Sequence, residues 1–400
     1  MGDGSSREGE AVRLAITAFL AAGAACALTR AYMSRAIVVS GASSSPSSSA
    51  KRRKRGKSKP GTPRGSELDL AAMSTAATGA GAGGGPATYE TRRAVDEYLQ
   101  FHFGKPSDVM PYKDGPLGAL RFPARCADMC AKHCRSTRGS RAIGDAHPPQ
   151  GLALDVGCAV GGASFELARH FGAVVGLDAS RAFVSAARLM RDRGRLSYRA
   201  LSEGSVTVTR EAVVNERIDR DRVVFREADA CDLPASLLGP VGGHGRHDAV
   251  LAANLLCRLP DPAAFLRACA RLVKPGGVLV LTSPYSWIEA WTPREKWLGG
   301  FEARESNEEG EKRDDAESAG AAKKTKGDNK GTTSVAKRSF EGVAEVLTSE
   351  AGGFDLVEQS DAPFLIKEHD RKYQWGCAHA SVWRRRRENP GTDRATPEDE

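Results

Sequence analysis

The chain has 400 residues, 40% of them hydrophobic and 27% charged, with 43 glycines and a formal net charge of +8. Residues 1–65 hold 12 Lys/Arg against 3 Asp/Glu, whereas residues 66–400 hold 46 against 47, so the basicity belongs to the amino-terminal segment. This argues against a nucleic-acid partner, which needs a basic face on the folded part, and the composition excludes collagen, coiled coil, a polytopic membrane protein and a wholly disordered chain.

Residues 1–88 do not read as a fold. Leu14–Thr29 is a run of 16 residues without a charge, shorter than the roughly 20 that span a bilayer. Before it, Asp3, Glu8 and Glu10 accompany Arg7 and Arg13, an imperfect start for a secretory signal. A Ser-rich stretch, Ser40–Ala50, follows, and then Lys51–Lys59 with seven Lys/Arg in nine positions. This order resembles an organelle-targeting leader, plastid or mitochondrial. A single membrane anchor with a basic flank is the close alternative, which would give an amino-terminal membrane contact. A nuclear signal or a solvated arm comes third. Ala71–Ala87 reads as a flexible linker. The expected organisation is a leader and linker over 1–88, a domain over 89–386 and a polar tail over 387–400.

Nine cysteines in this length do not make a disulfide scaffold. Cys126, Cys130 and Cys134 have i, i+4, i+8 spacing and share a helix face. No fourth ligand stands in a zinc spacing, although His133 lies beside Cys134. The expectation is reduced thiols on one helix face and no metal.

From Gly151 onward, short apolar runs alternate with helical periodicity. Leu152–Gly157 (LALDVG) is a strand ending near Asp155, followed by the turn Gly157-Cys-Ala-Val-Gly161-Gly162 and a helix bearing Phe165, Leu167, Ala168 and Phe171. Ala173–Asp178 is a second strand and Arg181–Arg193 an amphipathic helix. Val223–Phe225 is a third strand, Asp248–Ala253 a fourth, and Val278–Thr282 a fifth, after a helix over Phe265–Val273 that stops at Lys274-Pro-Gly-Gly277. Strand–helix alternation of this kind predicts an α/β fold, Rossmann-like, with a doubly wound, mostly parallel sheet. Glu302–Arg338, with nine acidic and nine basic residues, cannot bury enough apolar surface to offset its ordering entropy and reads as a disordered insertion.

Ligands of such sheets bind beyond the carboxyl ends of the strands. Gly157 and Gly161 are expected to let backbone approach a ligand. Asp178 is placed to accept from a ribose diol, and Asp229 to face an adenine amino group. Cys158, Ala159, Ala179, Ala230 and Asn254 complete this candidate cofactor set. The turn has G-x-x-x-G spacing rather than the diphosphate-binding G-x-G-x-x-G, and Asp155 inside the strand end suits a cationic sulfonium ligand. These features, with Leu272-Val-Lys-Pro-Gly-Gly-Val-Leu279, resemble class I methyltransferases, which implies S-adenosylmethionine as cofactor.

Three flanking segments are rich in aromatic, His and charged residues: Tyr89–Arg92 with Glu97–Gly104; Thr282–Glu289 with Thr292–Gly300; and Glu368–Trp375 with Ala378–Trp383. With Phe122–Cys126 and Asp155–Leu167, they resemble the methyltransferase domain of ovothiol-biosynthesis enzymes, the 4-mercaptohistidine N1-methyltransferase family. The resemblance covers about Tyr89–Arg386 apart from the charged insertion. It implies methyl transfer to an imidazole nitrogen of 5-thiohistidine, which a separate iron-dependent sulfoxide synthase would have to supply. An amino acid substrate needs a cation for its carboxylate and an acid for its ammonium. Tyr89, Glu90, Arg92, His102, Arg125, Trp287, Lys296 and Lys372 are the candidates to hold it. Tyr285 is a candidate to stack on the ring, and His369 or His379 to take a proton. The competing functions are a small-molecule methyltransferase with another acceptor (a thiol or a histidine derivative) and a non-catalytic, tethered relict of the fold.

Overall fold

The computed structural model describes residues 85–134, 149–240, 245–304 and 334–387. The leader, the anchor alternative and nearly all of the linker lie outside these residues, as do the middle of the charged insertion and most of the tail. Among the described residues, no helix is long and apolar enough to cross a membrane.

The central sheet has seven strands. In chain order these are β1 (Leu152–Val156), β2 (Ala173–Asp178), β5 (Val223–Glu227), β6 (His247–Ala253), β7 (Val273–Ser283), β10 (Phe354–His369) and β11 (Lys372–Arg385). They lie in the order β10-β11-β7-β6-β1-β2-β5. β1 pairs in parallel with β2 and β6, β2 with β5, and β6 with β7. β11 runs antiparallel to both β7 and β10. The chain therefore starts at the centre, in β1, winds out to β5, and returns to β6 on the other side of β1. That reversal opens a crevice above β1 and β6. The expected Rossmann-like, doubly wound sheet is present. Leu154, Val250, Leu251, Leu279 and Val280 are fully buried, because helices cover both faces of the parallel part.

The helices are α1 (Arg92–Phe103), α2 (Pro106–Val109), α3 (Phe122–His133), α4 (Gly162–Leu167), α5 (Arg181–Arg193), α6 (Pro262–Leu272) and α7 (Ser339–Thr348). Local chemistry sets several of their starts. The Thr91, Ser180 and Asp261 side chains accept from the Ala94, Phe183 and Ala264 amides, satisfying donors that the helix leaves open. Gly194, at φ 75°, ends α5 in the left-handed conformation. α1 buries Ala94, Val95 and Leu99 and, with α3, closes over the crevice.

Three features depart from the sequence reading. Arg195–Val213 is an antiparallel hairpin of β3 (Arg195–Glu203) and β4 (Val206–Val213), inserted between α5 and β5. The carboxyl-terminal third is one long hairpin, β10–β11, whose second strand joins the main sheet. The charged segment is not disordered at its ends: β8 (Phe301–Arg304) pairs antiparallel with β9 (Ser334–Lys337). Backbone ladder bonds hold these ends together despite their polarity. The three cysteines of α3 and its cap, Cys126, Cys130 and Cys134, are buried in the core, where desolvation raises the Cys126 and Cys130 thiols above their ordinary range.

Candidate functional site

The carboxyl ends of β1, β2, β5 and β6 surround a cavity of 480 Å³, within the range of small-molecule sites. Each strand delivers one group through the turn that follows it. After β1 the chain takes φ 77° at Gly157 and φ 47° at Ala159. The Gly157 and Cys158 amides both donate to the Leu177 carbonyl of β2 at 2.8 Å, which folds the turn back over the sheet edge. Asp178 then fixes it: one carboxylate oxygen accepts from the Ala159 amide and the other from the Ser180 amide, each at 2.8 Å. Each oxygen keeps a second lone pair for a hydroxyl in the cavity. Asp229, after β5, holds the Cys231 amide at 2.8 Å. Asn254, after β6, stands at φ 53° and is pinned by Thr282 of β7, whose hydroxyl donates to the Asn254 side-chain oxygen at 3.0 Å.

The cavity is acidic. Asp155, Asp178, Asp229 and Glu90 line it against one cation, Arg258. Burial pushes the Asp155 carboxyl up to about 7, although the Ser164 hydroxyl donates to it at 2.6 Å. Burial likewise pushes Asp178 up to about 6. Both carboxylates therefore lack a countercharge that a cationic ligand can provide.

Of the expected cofactor set, Asp155, Gly157, Cys158, Ala159, Asp178, Ala179, Asp229, Ala230 and Asn254 line this cavity. Gly161 does not. It sits at φ 89°, and a Cβ there would lie 2.5 Å from the Phe225 ring, so packing and backbone conformation require the glycine rather than a ligand.

The expected substrate set divides. Tyr89, Glu90 and His102 line the cavity. Glu90 also accepts from the Arg181 and Ala182 amides at 3.0 and 3.2 Å, which commits its oxygens to the α5 amino terminus. His102 accepts from the Gly162 amide at 3.0 Å through Nδ1. Desolvation pulls its ring down to about 3, so it is neutral and Nε2 carries its proton.

The rest are absent from the cavity lining. Arg92 binds Asp96 at 3.0 Å and the Ser197 carbonyl, bracing α1 against β3. Arg125 donates to the Leu120 and Pro363 carbonyls. Trp287 donates to the Ser339 hydroxyl and stacks on Trp297. Lys296 pairs with Asp261, and Lys372 with Glu368, both at 2.8 Å. Tyr285 and His379 bond each other at 3.1 Å, and His379 Nε2 lies 3.0 Å from the Gln359 side-chain oxygen Oε1. His369 accepts from the Arg371 amide. Charged and aromatic residues in these flanks found partners in one another, so neither histidine stands where it could take a proton in the cavity.

Sequence reasoning missed Tyr98, Phe101, Phe122, Trp291 and Arg258, all of which line the cavity. Tyr89 packs against Trp291 and Phe183 with ring centroids 5.2 and 5.4 Å apart. The Arg258 guanidinium lies 5.8 Å from the Trp291 ring and donates to the Cys257 and Ser286 carbonyls. Its place just after the fourth parallel strand was the available signal.

Residues 154–281 match the family described as "Methyltransferase domain". Among curated proteins, the chain is similar to the ubiquinone biosynthesis O-methyltransferase of Alkalilimnicola ehrlichii, with 32% identity over 32% of this chain and 40% of that one. It is similar to the same enzyme of Sodalis glossinidius, with 30% identity over 34% of this chain and 44% of that one. The chain thus spans about two fifths of the length of these relatives. Among solved structures, magnesium protoporphyrin IX methyltransferase (ChlM) from Synechocystis PCC 6803 with bound SAH is similar at 15% identity, covering 72% of this chain and 93% of that one, with a TM-score of 0.37. The matched residues, 154–281, coincide with the part of the Rossmann-like sheet that runs from β1 to β7.

Proposed function

We propose that this chain is an S-adenosylmethionine-dependent methyltransferase for a small molecule, and that its acceptor is an imidazole nitrogen of 5-thiohistidine. The observation that carries the first part is the acidic cavity at the strand ends of the methyltransferase domain. Its acceptors fit the cofactor: Asp178 for the ribose hydroxyls, Asp229 for the adenine amino group, and Asp155 as a carboxylate short of a countercharge. S-adenosylmethionine, when bound, supplies an activated methyl group and a positive charge. What the chain contributes is placement. The Asp178 brace holds the Gly157–Ala159 turn, the Thr282 brace holds Asn254, and the aromatic wall of Tyr89, Tyr98, Phe101, Phe122 and Trp291 excludes water. Arg258 is the cation available to a ligand carboxylate.

The finer assignment is supported by the sequence resemblance and by part of the cavity. Of the resembling segments, Tyr89–Arg92, Glu97–Gly104, Phe122–Cys126 and Asp155–Leu167 contribute to the lining, whereas Thr282–Glu289, Thr292–Gly300, Glu368–Trp375 and Ala378–Trp383 do not. Thiohistidine presents a sulfur that is a softer nucleophile than the ring nitrogen, so the site must aim the ring and keep the sulfur away. A fixed, neutral His102 can do this as a directed Nε2 donor without acting as a base. The thiohistidine itself would come from an iron-dependent sulfoxide synthase.

Incubation of the full-length protein with S-adenosylmethionine and 5-thiohistidine, read by mass spectrometry with fragmentation, tests both parts. One methyl on a ring nitrogen is the expected result. A methyl on sulfur overturns the nitrogen assignment, and no product beside measured cofactor binding overturns the substrate. A phenolic acceptor in parallel decides whether the oxygen chemistry in the relatives' name holds here instead. Absence of cofactor binding overturns the activity itself.

A further inference from the structure

A second cavity, of 300 Å³, lies on the other side of His102. Phe101 and His102 line both cavities, and the consecutive residues Gly162 and Ala163 line one each, so a ligand in one stands beside a ligand in the other. Gly162 makes this junction: a Cβ there would lie 2.7 Å from His102 Nδ1, so only glycine lets α4 reach the ring. The two cavities differ in sign. The first has four carboxylates against Arg258. The second has Lys105 and Arg121 at its rim and a single carboxylate, Glu166, which Arg169 neutralises at 2.5 Å. Neither Lys105 nor Arg121 has a hydrogen bond or ion pair from its side chain to another described residue. Arg121 also holds φ 54° at the start of α3, a conformation that costs energy for a residue other than glycine. Beneath this rim the lining is apolar and includes Phe103, Phe165 and Ile218, which suits a ring rather than a second charge.

We infer that the second cavity receives the anionic end of the methyl acceptor, with Lys105 and Arg121 holding a carboxylate while His102 meets its ring. This rests on the proposed methyltransferase activity and adds the subsite that holds the anion of a small heteroaromatic acceptor. It also assigns the substrate carboxylate to Lys105 and Arg121 rather than to Arg92 or Arg125, which are engaged elsewhere.

The test is calorimetric titration of the full-length protein at about pH 9, above the imidazolium range so that both rings are neutral, with and without saturating S-adenosylhomocysteine, using imidazole-4-acetate and 4-methylimidazole as probes. Wild type should bind the anion about tenfold or more tightly than the neutral ring. The Lys105→Gln/Arg121→Asn variant should lose that preference while keeping its S-adenosylhomocysteine affinity. Both positions are exposed, and Asn tolerates positive φ, so the variant should fold. Equal binding of the two probes by wild type overturns the inference, and so does a preference that survives in the variant. Failure of S-adenosylhomocysteine to bind overturns the proposed activity and is read separately, because the probe titration is also run without it.

Discussion

Protonation of Asp155 and Asp178 should control cofactor affinity, and the sign follows from their surroundings. In the free protein, burial holds Asp155 at about 7 and Asp178 at about 6, so at pH 5 both carry a proton. A cationic ligand favours the ionised form, so binding must expel those protons. Affinity therefore rises with pH up to about 7 and is flat above it. If the bound ligand returns Asp155 to the ordinary range near ~4, its protonation alone weakens binding about 100-fold at pH 5 relative to pH 8, and Asp178 adds about tenfold.

Calorimetry across that range, in buffers of different ionisation enthalpy, measures both affinity and protons released. S-adenosylhomocysteine is the internal control, since it lacks the sulfonium charge and should show the shallower profile. Asp155→Asn keeps an acceptor for the Ser164 hydroxyl and should flatten most of the dependence. A pH-independent affinity, or an unchanged slope in Asp155→Asn, would refute the assignment of the charge-deficient carboxylates to the cofactor.

Gly161→Ala should destabilise the fold by about 2–4 kcal/mol, from the positive φ and the clash with Phe225. Thermal unfolding would show a drop of several degrees, and an unchanged midpoint would return Gly161 to the ligand side of the turn. His247 is buried with Nδ1 at 2.9 Å from the Leu272 carbonyl, and burial pulls it down to about 4. Its neutral form stabilises the protein above about pH 6.5, and that contribution is lost as pH falls toward 4. Urea unfolding at pH 7 and 4 should show His247→Asn losing up to about 3 kcal/mol less than wild type over the same span; equal losses would contradict it. Tyr285→Phe removes a hydrogen bond to His379, worth about 1 kcal/mol of stability. Its turnover should stay within about twofold of wild type, and a larger loss would put Tyr285 back in the chemistry.

The parallel strands were legible because burial on both faces leaves continuous apolar runs, as in Leu152–Val156 and Ala173–Asp178. The cofactor turn was legible because its acids and glycines fall at strand ends. The β3–β4 hairpin was not: Arg195–Val213 alternates charged and apolar residues with exposed Val206, Val208 and Val213, and only the scattered Tyr198, Ala200 and Ala212 reach the core. The substrate side was harder for a different reason. A histidine or lysine in a polar flank looks the same whether it awaits a ligand or already has a partner. Lys296 with Asp261 and His379 with Tyr285 are pairs 35 and 94 residues apart, a separation at which only the fold brings partners together. Arg258 is the converse case, an isolated arginine whose position after β6 is what gives it meaning.

The two non-glycine residues that line the cofactor cavity at positive φ show how that position is secured. Ala159 and Asn254 follow adjacent strands, β1 and β6, and a residue of this kind persists there only if its surroundings over-determine it. Each is held from the next strand outward: Ala159 by Asp178 at the end of β2, Asn254 by Thr282 at the end of β7. The sheet's two wings thus brace its two central turns from opposite sides, and the cavity lies between the braces. The same Asp178 that would meet the ribose fixes the backbone of the turn beside it. Removing its carboxylate therefore disturbs two amides as well as one ligand contact, and Asp178→Ala should lower stability and affinity together. A variant at Asp229, which holds only the Cys231 amide, separates the two effects.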